Sequence, residues 1–228
     1  MRTKFLPILT IGFLFIVNCT FAQVEPYLTS PTSTSIWVTW KTTTDTISNV
    51  EYGLTADILD MTASGSHEYL AGDYIWHTVK LSNLTPDTRY YYRTVSGSQI
   101  SEIHRFRTQV IEGTNTGHYR YAIIGDHQSI NDDRYERLVQ ACKDKVIEKY
   151  ASSSSDTLIE DHLNLMVCDG DMVDQGTLVQ YETLHFGQSR PLMSGIPIMA
   201  VPGNHEYGND PNLINYFTFI NYYSLVSH

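Results

Sequence analysis

The strongest constraint on the fold of this 228-residue chain is a pattern stated three times in its second half. A short apolar run ends in a glycine, and an oxygen-bearing side chain follows at once. Leu163 to Cys168 is such a run, breaking at Asp169-Gly170-Asp171, through which a central strand does not continue. Tyr119 to Ile124 breaks at Gly125-Asp126, and Ile196 to Val201 breaks at Pro202-Gly203-Asn204-His205-Glu206. One Gly-Asp pair alone reads as a surface turn, since Gly and Asp dominate turns. Three in succession, each after a buried-type strand, point to a shared sheet edge. In open α/β sheets the carboxyl edge is where ligands bind. Two carboxylates gathered there with an amide and an imidazole call for a cation, because an unpaired carboxylate is costly to desolvate.

Between the first two runs, Tyr135, Leu138, Val139, Cys142, Val146 and Tyr150 recur at three- and four-residue steps, which predicts an amphipathic helix capped by Asn131 or Asp132. A second helix is expected near Thr177 to Phe186. Strand, helix, strand in this order is a βαβ unit. Cys142 and Cys168 fall on the first helix and the central strand. They read either as a disulfide or as two small buried thiols.

The first half has a different period. Ile36, Val38 and Trp40 alternate with Trp37, Thr39 and Lys41, and His77, Val79 and Leu81 alternate with Thr78 and Lys80, as half-buried strands do. Tyr90 to Tyr92 and Ile103 to Phe106 add strand-like runs, with turn residues in the gaps. The expectation is an all-β sandwich over 24–109, a linker over 110–118 around Glu-Gly-Thr-Asn-Thr-Gly, and an α/β region over 119–228. Sixteen tyrosines invite a carbohydrate-binding reading, but tyrosine suits half-buried strands, and that simpler use is preferred.

Several motifs carry resemblances. Leu84-x-Pro86-x-Thr88-x-Tyr90 resembles the tyrosine corner of fibronectin type III and immunoglobulin-like domains. Ser48-Asn-Val-Glu-Tyr-Gly53 and Arg105-Phe-Arg-Thr108 resemble the N-terminal domain of purple acid phosphatases. Gly125-Asp126, Gly170-Asp171-Met-Val-Asp174 and Gly203-Asn204-His205-Glu206 resemble the first three of five motifs of calcineurin-like metallophosphoesterases, a fold of two packed sheets flanked by helices.

That resemblance implies two divalent metal ions held by Asp126, Asp171 and Asn204, with Asp171 bridging. Hydroxide formed at the metals attacks phosphorus in line with the leaving oxygen, while His205 stabilises phosphoryl charge and serves the leaving alkoxide. The chain departs from the family in three places. The first motif reads Asp126-His127-Gln128 in place of Asp-x-His. Residues two apart on an extended strand end face one side, which favours Gln128 as the ligand, with His127 the alternative. Position 174 is Asp where purple acid phosphatases have an iron-binding Tyr, so Mn, Zn, Fe or Mg all remain open, and Asp174 is expected outside the inner ligand set. Nothing matches the fourth and fifth motifs, and His228 lacks the Gly-His-x-His context. The expectation is a fold incomplete at its C-terminus, with weak or absent activity.

Composition narrows the partners. The formal net charge is −10, which disfavours nucleic acid as a partner but leaves small phosphate esters, since a metal supplies local positive charge. Met1 to Ala22 reads as a signal peptide: Arg2 and Lys4, an apolar run from Phe5 to Val17, then Thr20-Phe21-Ala22. The run is too short for a membrane anchor, and no later stretch replaces it. A secreted or periplasmic protein is expected, with lipoprotein anchoring through Cys19 as the alternative. The functional expectation is an exported phosphomonoesterase. The alternatives are a phosphodiesterase or nucleotidase of the same superfamily, and a non-catalytic secreted binding protein.

Overall fold

The computed structural model describes residues 24–70, 74–114, 118–128 and 132–220. The expected signal peptide, Cys19, the Asn131 cap and His228 lie outside them.

Nine strands form the first half: β1 (Val24–Thr29), β2 (Ile36–Thr42), β3 (Asn49–Gly53), β4 (Met61–Ser64), β5 (Ser66–Leu70), β6 (Tyr74–Leu81), β7 (Arg89–Ser96), β8 (Gln99–Ile100) and β9 (His104–Arg107). One sheet has the order β4-β3-β7-β8, with β9 on β7, and it faces β1, β2, β6 and β5 of the other. Between them lie Leu28, Ile36, Val38, Trp40, Val79, Leu81, Tyr92 and Phe106, all buried. These are the inward residues of strands whose side chains alternate. Polar groups in this core are paired: Trp40 Nε1 donates to Ser96 Oγ at 2.9 Å. His77 lies between the hydroxyls of Thr42 and Ser48, at 2.7 and 2.9 Å from its two ring nitrogens. The corner seen in the sequence is present, with the Thr85 amide donating to the Tyr90 hydroxyl at 3.0 Å.

The second half supplies β10 (Tyr121–Ile124), α1 (Arg134–Tyr150), β11 (Leu165–Cys168), α2 (Leu178–Gln180), a π-helical turn at Tyr181–Phe186, α3 (Gly187–Met193), β12 (Ile198–Ala200) and α4 (Ile214–Phe219). The three strands are parallel and end level, Ile124 opposite Cys168 and Cys168 opposite Ala200. Helix α1 buries Tyr135 and Val139, and its N-cap is Asp133, whose side chain makes no cap bond, not the expected Asp132. Asp132 lies one residue earlier, and its carboxylate accepts from the Arg134 amide at 3.1 Å. The second helical segment begins where expected, with the Thr177 hydroxyl accepting from the Gln180 amide. It runs on to Met193 through Pro191, a residue that reads in sequence as a stop. Cys142 and Cys168 are both free, Cys168 buried and Cys142 partly exposed, so the disulfide reading falls and the buried-thiol one holds for Cys168 alone.

The two halves share a sheet. Strand β1 pairs in parallel with β12, Thr29 opposite Ile198, giving seven strands in the order β10-β11-β12-β1-β2-β6-β5. This corrects the inference from period-two alternation that the outer face of β2 is wet. Thr39 and Lys41 are buried because the second half's helices lie over them: Lys41 pairs with Glu182 and Trp76 packs edge-on to Phe219 at 4.6 Å. Tyr27 stacks on Phe186 at 4.3 Å and donates its hydroxyl to the Phe219 carbonyl at 2.8 Å. On the other flank Tyr92 donates to the Ser194 carbonyl at 2.8 Å, and Arg89 and Arg105 pair with Asp161 and Glu160. Among the described residues the second half contributes one sheet layer; a second sheet, as the resemblance implies, is not among them.

Candidate functional site

Because the three parallel strands end level, their following loops leave the same edge. Each loop then turns sharply. Asp126 and Asp171 both adopt left-handed backbone, with φ of 51° and 53°, and Gly170 has φ of 108°. Such conformations are costly for a side-chain-bearing residue and concentrate at functional sites. Here such backbone sits two residues after β10 and two to three residues after β11. Backbone bonds join the loops: the Asp126 amide donates to the Gly170 carbonyl and the His127 amide to the Asp171 carbonyl, both at 3.2 Å.

The glycines permit the close approach. A Cβ on Gly203 would lie 2.1 Å from Asp171 Oδ1 and 2.6 Å from the Asp171 amide nitrogen; one on Gly125 would lie 1.8 Å from Asp169 Oδ1. At Gly203 the backbone itself is in the way, so no side chain fits there; at Gly125 the Asp169 carboxylate would have to move. The His205 amide donates to Asp171 Oδ1 at 3.0 Å, joining the second and third loops.

His205 is half-buried, and its Nδ1 lies 2.9 Å from the Asp174 carbonyl oxygen and 3.7 Å from the Asp174 carboxylate. A carbonyl only accepts, so Nδ1 carries the proton and Nε2 is the atom left for other chemistry. The pKa of His205 is raised, chiefly by this bond to the Asp174 backbone and then by the charges of Asp171, Asp174 and Glu206, with burial opposing. Asp174 thus stands behind His205.

His127 and Gln128 part company. The His127 ring is buried and stacks on Tyr135 at 3.7 Å, and its Nε2 lies 3.1 Å from His185 Nδ1. Burial lowers its pKa to about 4; His185 is pushed well down by burial and by His127. Gln128 keeps a solvent-shielded Oε1 that accepts no hydrogen bond. An unpaired buried carbonyl oxygen is unfavourable, and a cation is a partner that removes the deficit. The donors that the strand ends carry, the carboxylates of Asp126 and Asp171 and the amide oxygens of Gln128 and Asn204, are all oxygens and suit hard divalent cations. No group of three or more His, Cys, Asp or Glu side chains gathers in ligating range among the described residues.

Two features went unread in the sequence. The stack of Tyr135, His127 and His185 beneath the first loop depends on the π-helical turn that turns His185 inward, and no periodicity announces it. Glu206 was visible only as the fourth letter of a motif. It is fully buried and accepts from four backbone amides.

A β-sandwich continuous with a parallel strand edge, carrying an Asp, Asp, Asn-His array, defines the architecture of a two-part phosphoesterase. Residues 22–108 match the family model "Purple acid Phosphatase, N-terminal domain" and residues 119–227 match "Calcineurin-like phosphoesterase". The chain belongs to the calcineurin-like phosphoesterases, in the arrangement with a purple acid phosphatase N-terminal domain. Purple acid phosphatase 15 of Arabidopsis thaliana is 28% identical over 159 residues, covering 62% of this chain and 28% of the relative. Purple acid phosphatase PPD1 from yellow lupin (Lupinus luteus) seeds superposes with a TM-score of 0.60 at 19% identity, over 81% of this chain and 36% of that one. PhoD superposes with a TM-score of 0.55 at 14% identity, over 82% of this chain and 39% of that one. The chain thus spans roughly a third of the length of these proteins, and the structural likenesses speak for the fold.

Proposed function

We propose that this is an exported, metal-dependent phosphoesterase acting on small phosphate monoesters. Asp126, Gln128, Asp171 and Asn204 would hold the cations. When bound, a pair of divalent cations supplies Lewis-acid polarisation of phosphoryl oxygens and water activation near neutral pH. The chain's own residues do the rest. Asp171 is held by its contact with the His205 amide and by the close approach of Gly203. His205, its Nδ1 proton engaged by Asp174, presents Nε2 to a phosphoryl oxygen or to the departing alkoxide.

The observation that carries this reading is the level ending of three parallel strands whose next residues bear the oxygens. The net charge of −10 favours small esters over polyanions. Export rests on the leader-like first 22 residues; among the described residues no helix is long and apolar enough to cross a membrane. The division at residues 110–118 and the metals Mn, Zn, Fe or Mg belong to the same proposal.

The test is isothermal titration of the chain with Mn²⁺ and Zn²⁺, beside p-nitrophenyl phosphate hydrolysis with and without a chelator. Metal binding lost in Asp171→Asn, with any turnover chelator-sensitive, supports the reading. Metal binding unaffected by Asp171→Asn removes it.

A further inference from the structure

We propose that Glu206 is a positioning residue: one buried carboxylate sets the spacing between the Asp171 and Asn204 loops. The inference rests on the metallophosphoesterase reading for its meaning, but its geometry is independent of it.

Glu206 Oε2 accepts from the Gly203 amide at 2.6 Å and the Asp171 amide at 2.9 Å. Oε1 accepts from the Met172 amide at 2.7 Å and the Val173 amide at 3.3 Å. The side chain is 0% exposed. A carboxylate removed from water needs compensation. Here four backbone N–H groups supply it, an anion-binding concavity built from two loops.

Two of these donors sit at the proposed site itself. The Asp171 amide belongs to the residue assigned as the bridge, and the Gly203 amide belongs to the residue before Asn204. The strands hold β11 and β12 in register only as far as the Val201 amide bond to the Cys168 carbonyl at 2.9 Å. Beyond that point the loops are joined by the His205 amide bond to Asp171 Oδ1 and by Glu206. Of the two only Glu206 clamps backbone amides from both loops, while Gly203 permits their close approach. Misplacement of a ligand by about 1 Å is enough to spoil such a site.

The four donors also explain why the residue is an acid. A carboxylate is acceptor-only, with room for four donors. A glutamine of the same shape would turn an NH₂ group toward two N–H groups and lose them. An aspartate keeps the charge but falls one methylene short of one loop.

The experiment is hydrogen–deuterium exchange and Mn²⁺ titration on the full chain and on Glu206→Gln and Glu206→Asp. We expect the amides of 171–173 and 203 to exchange at least tenfold faster in both variants, with β2 and β6 unchanged. We expect Mn²⁺ affinity to fall at least tenfold in Glu206→Gln and less in Glu206→Asp. Should Glu206→Gln not fold, Glu206→Asp carries both readouts. Unchanged exchange at these amides overturns the clamp. Faster exchange with unchanged Mn²⁺ affinity overturns the positioning role and leaves a structural bond. If the parent chain binds no Mn²⁺, the functional reading fails, and exchange alone still decides whether Glu206 spaces the loops.

Discussion

The two buried histidines whose pKa values fall to about 4, His77 in the sandwich and His127 beneath the site, contrast the two halves of the molecule. His77 has a hydroxyl at each ring nitrogen. His127 leaves Nδ1 unpaired, its neighbour His185 leaves Nε2 unpaired, and Gln128 leaves Oε1 unpaired. Exposed apolar side chains occur in both halves, at Leu54, Ile58 and Tyr69 of the sandwich as at Tyr121, Ile123 and Val201 around the parallel strands. Left-handed non-glycine backbone sits at both site aspartates. The sandwich has left-handed turns of its own at Ser30, Asn83 and Asp87 and unpaired buried atoms such as Thr29 Oγ1 and Gln99 Oε1. What sets the second half apart is that strained backbone and unpaired donors and acceptors gather at one set of strand tips, where local rules are broken if a site must bind something.

The sharpest way to break this contrast is at Asp171. Asp171→Asn should lower Mn²⁺ affinity by more than the roughly 10- to 100-fold that loss of an outer-shell partner costs, with little change in sandwich stability. Equal losses in both would mean that the two halves do not divide the labour. Gly203→Ala comes next. Its Cβ would overlap Asp171 Oδ1, and a cost of about 3 kcal/mol in urea unfolding is expected, alongside weakened metal binding.

Acid sharpens the comparison further. His77 has an ordinary pKa of 6.5 unfolded and about 4 folded, lowered by burial and by His67, with Asp45 opposing. As pH falls, the unfolded chain takes up this proton first, so the stability present above 6.5 is lost between about 6.5 and 4. The loss is at most about 3 kcal/mol, measured by unfolding at pH 7 and pH 4.5. His77→Gln should flatten that dependence; if the slope persists, His127 and the second half set it. The smallest effect belongs to Tyr90→Phe, which removes the acceptor of the Thr85 amide and should cost about 1 kcal/mol without touching metal affinity.

Much of this was legible from residues. The strand ends were marked by Gly125, Gly170 and Gly203, and the loops by Asp126, Asp171 and Asn204, because turn chemistry is local. The amphipathic period of α1 was local too. What escaped was long-range. Nothing near Val24 to Thr29 announces that this strand lies beside Ile198–Ala200, so the burial of Lys41 and Thr39 could not be read from alternation. The second helical segment runs on past the expected Phe186 to Met193, and four amides converging on Glu206 come from two loops that the sequence keeps apart.

The pairing of Thr29 with Ile198 bears on how the molecule can be divided and how it can flex. A cut at 110–118 would not release two finished modules. The sandwich produced alone would uncover Tyr27 and Trp76, losing the rings of Phe186 and Phe219, and its β1 would become a naked edge prone to self-association. The same seam leaves no free hinge between the two described halves, which the shared sheet ties into one body.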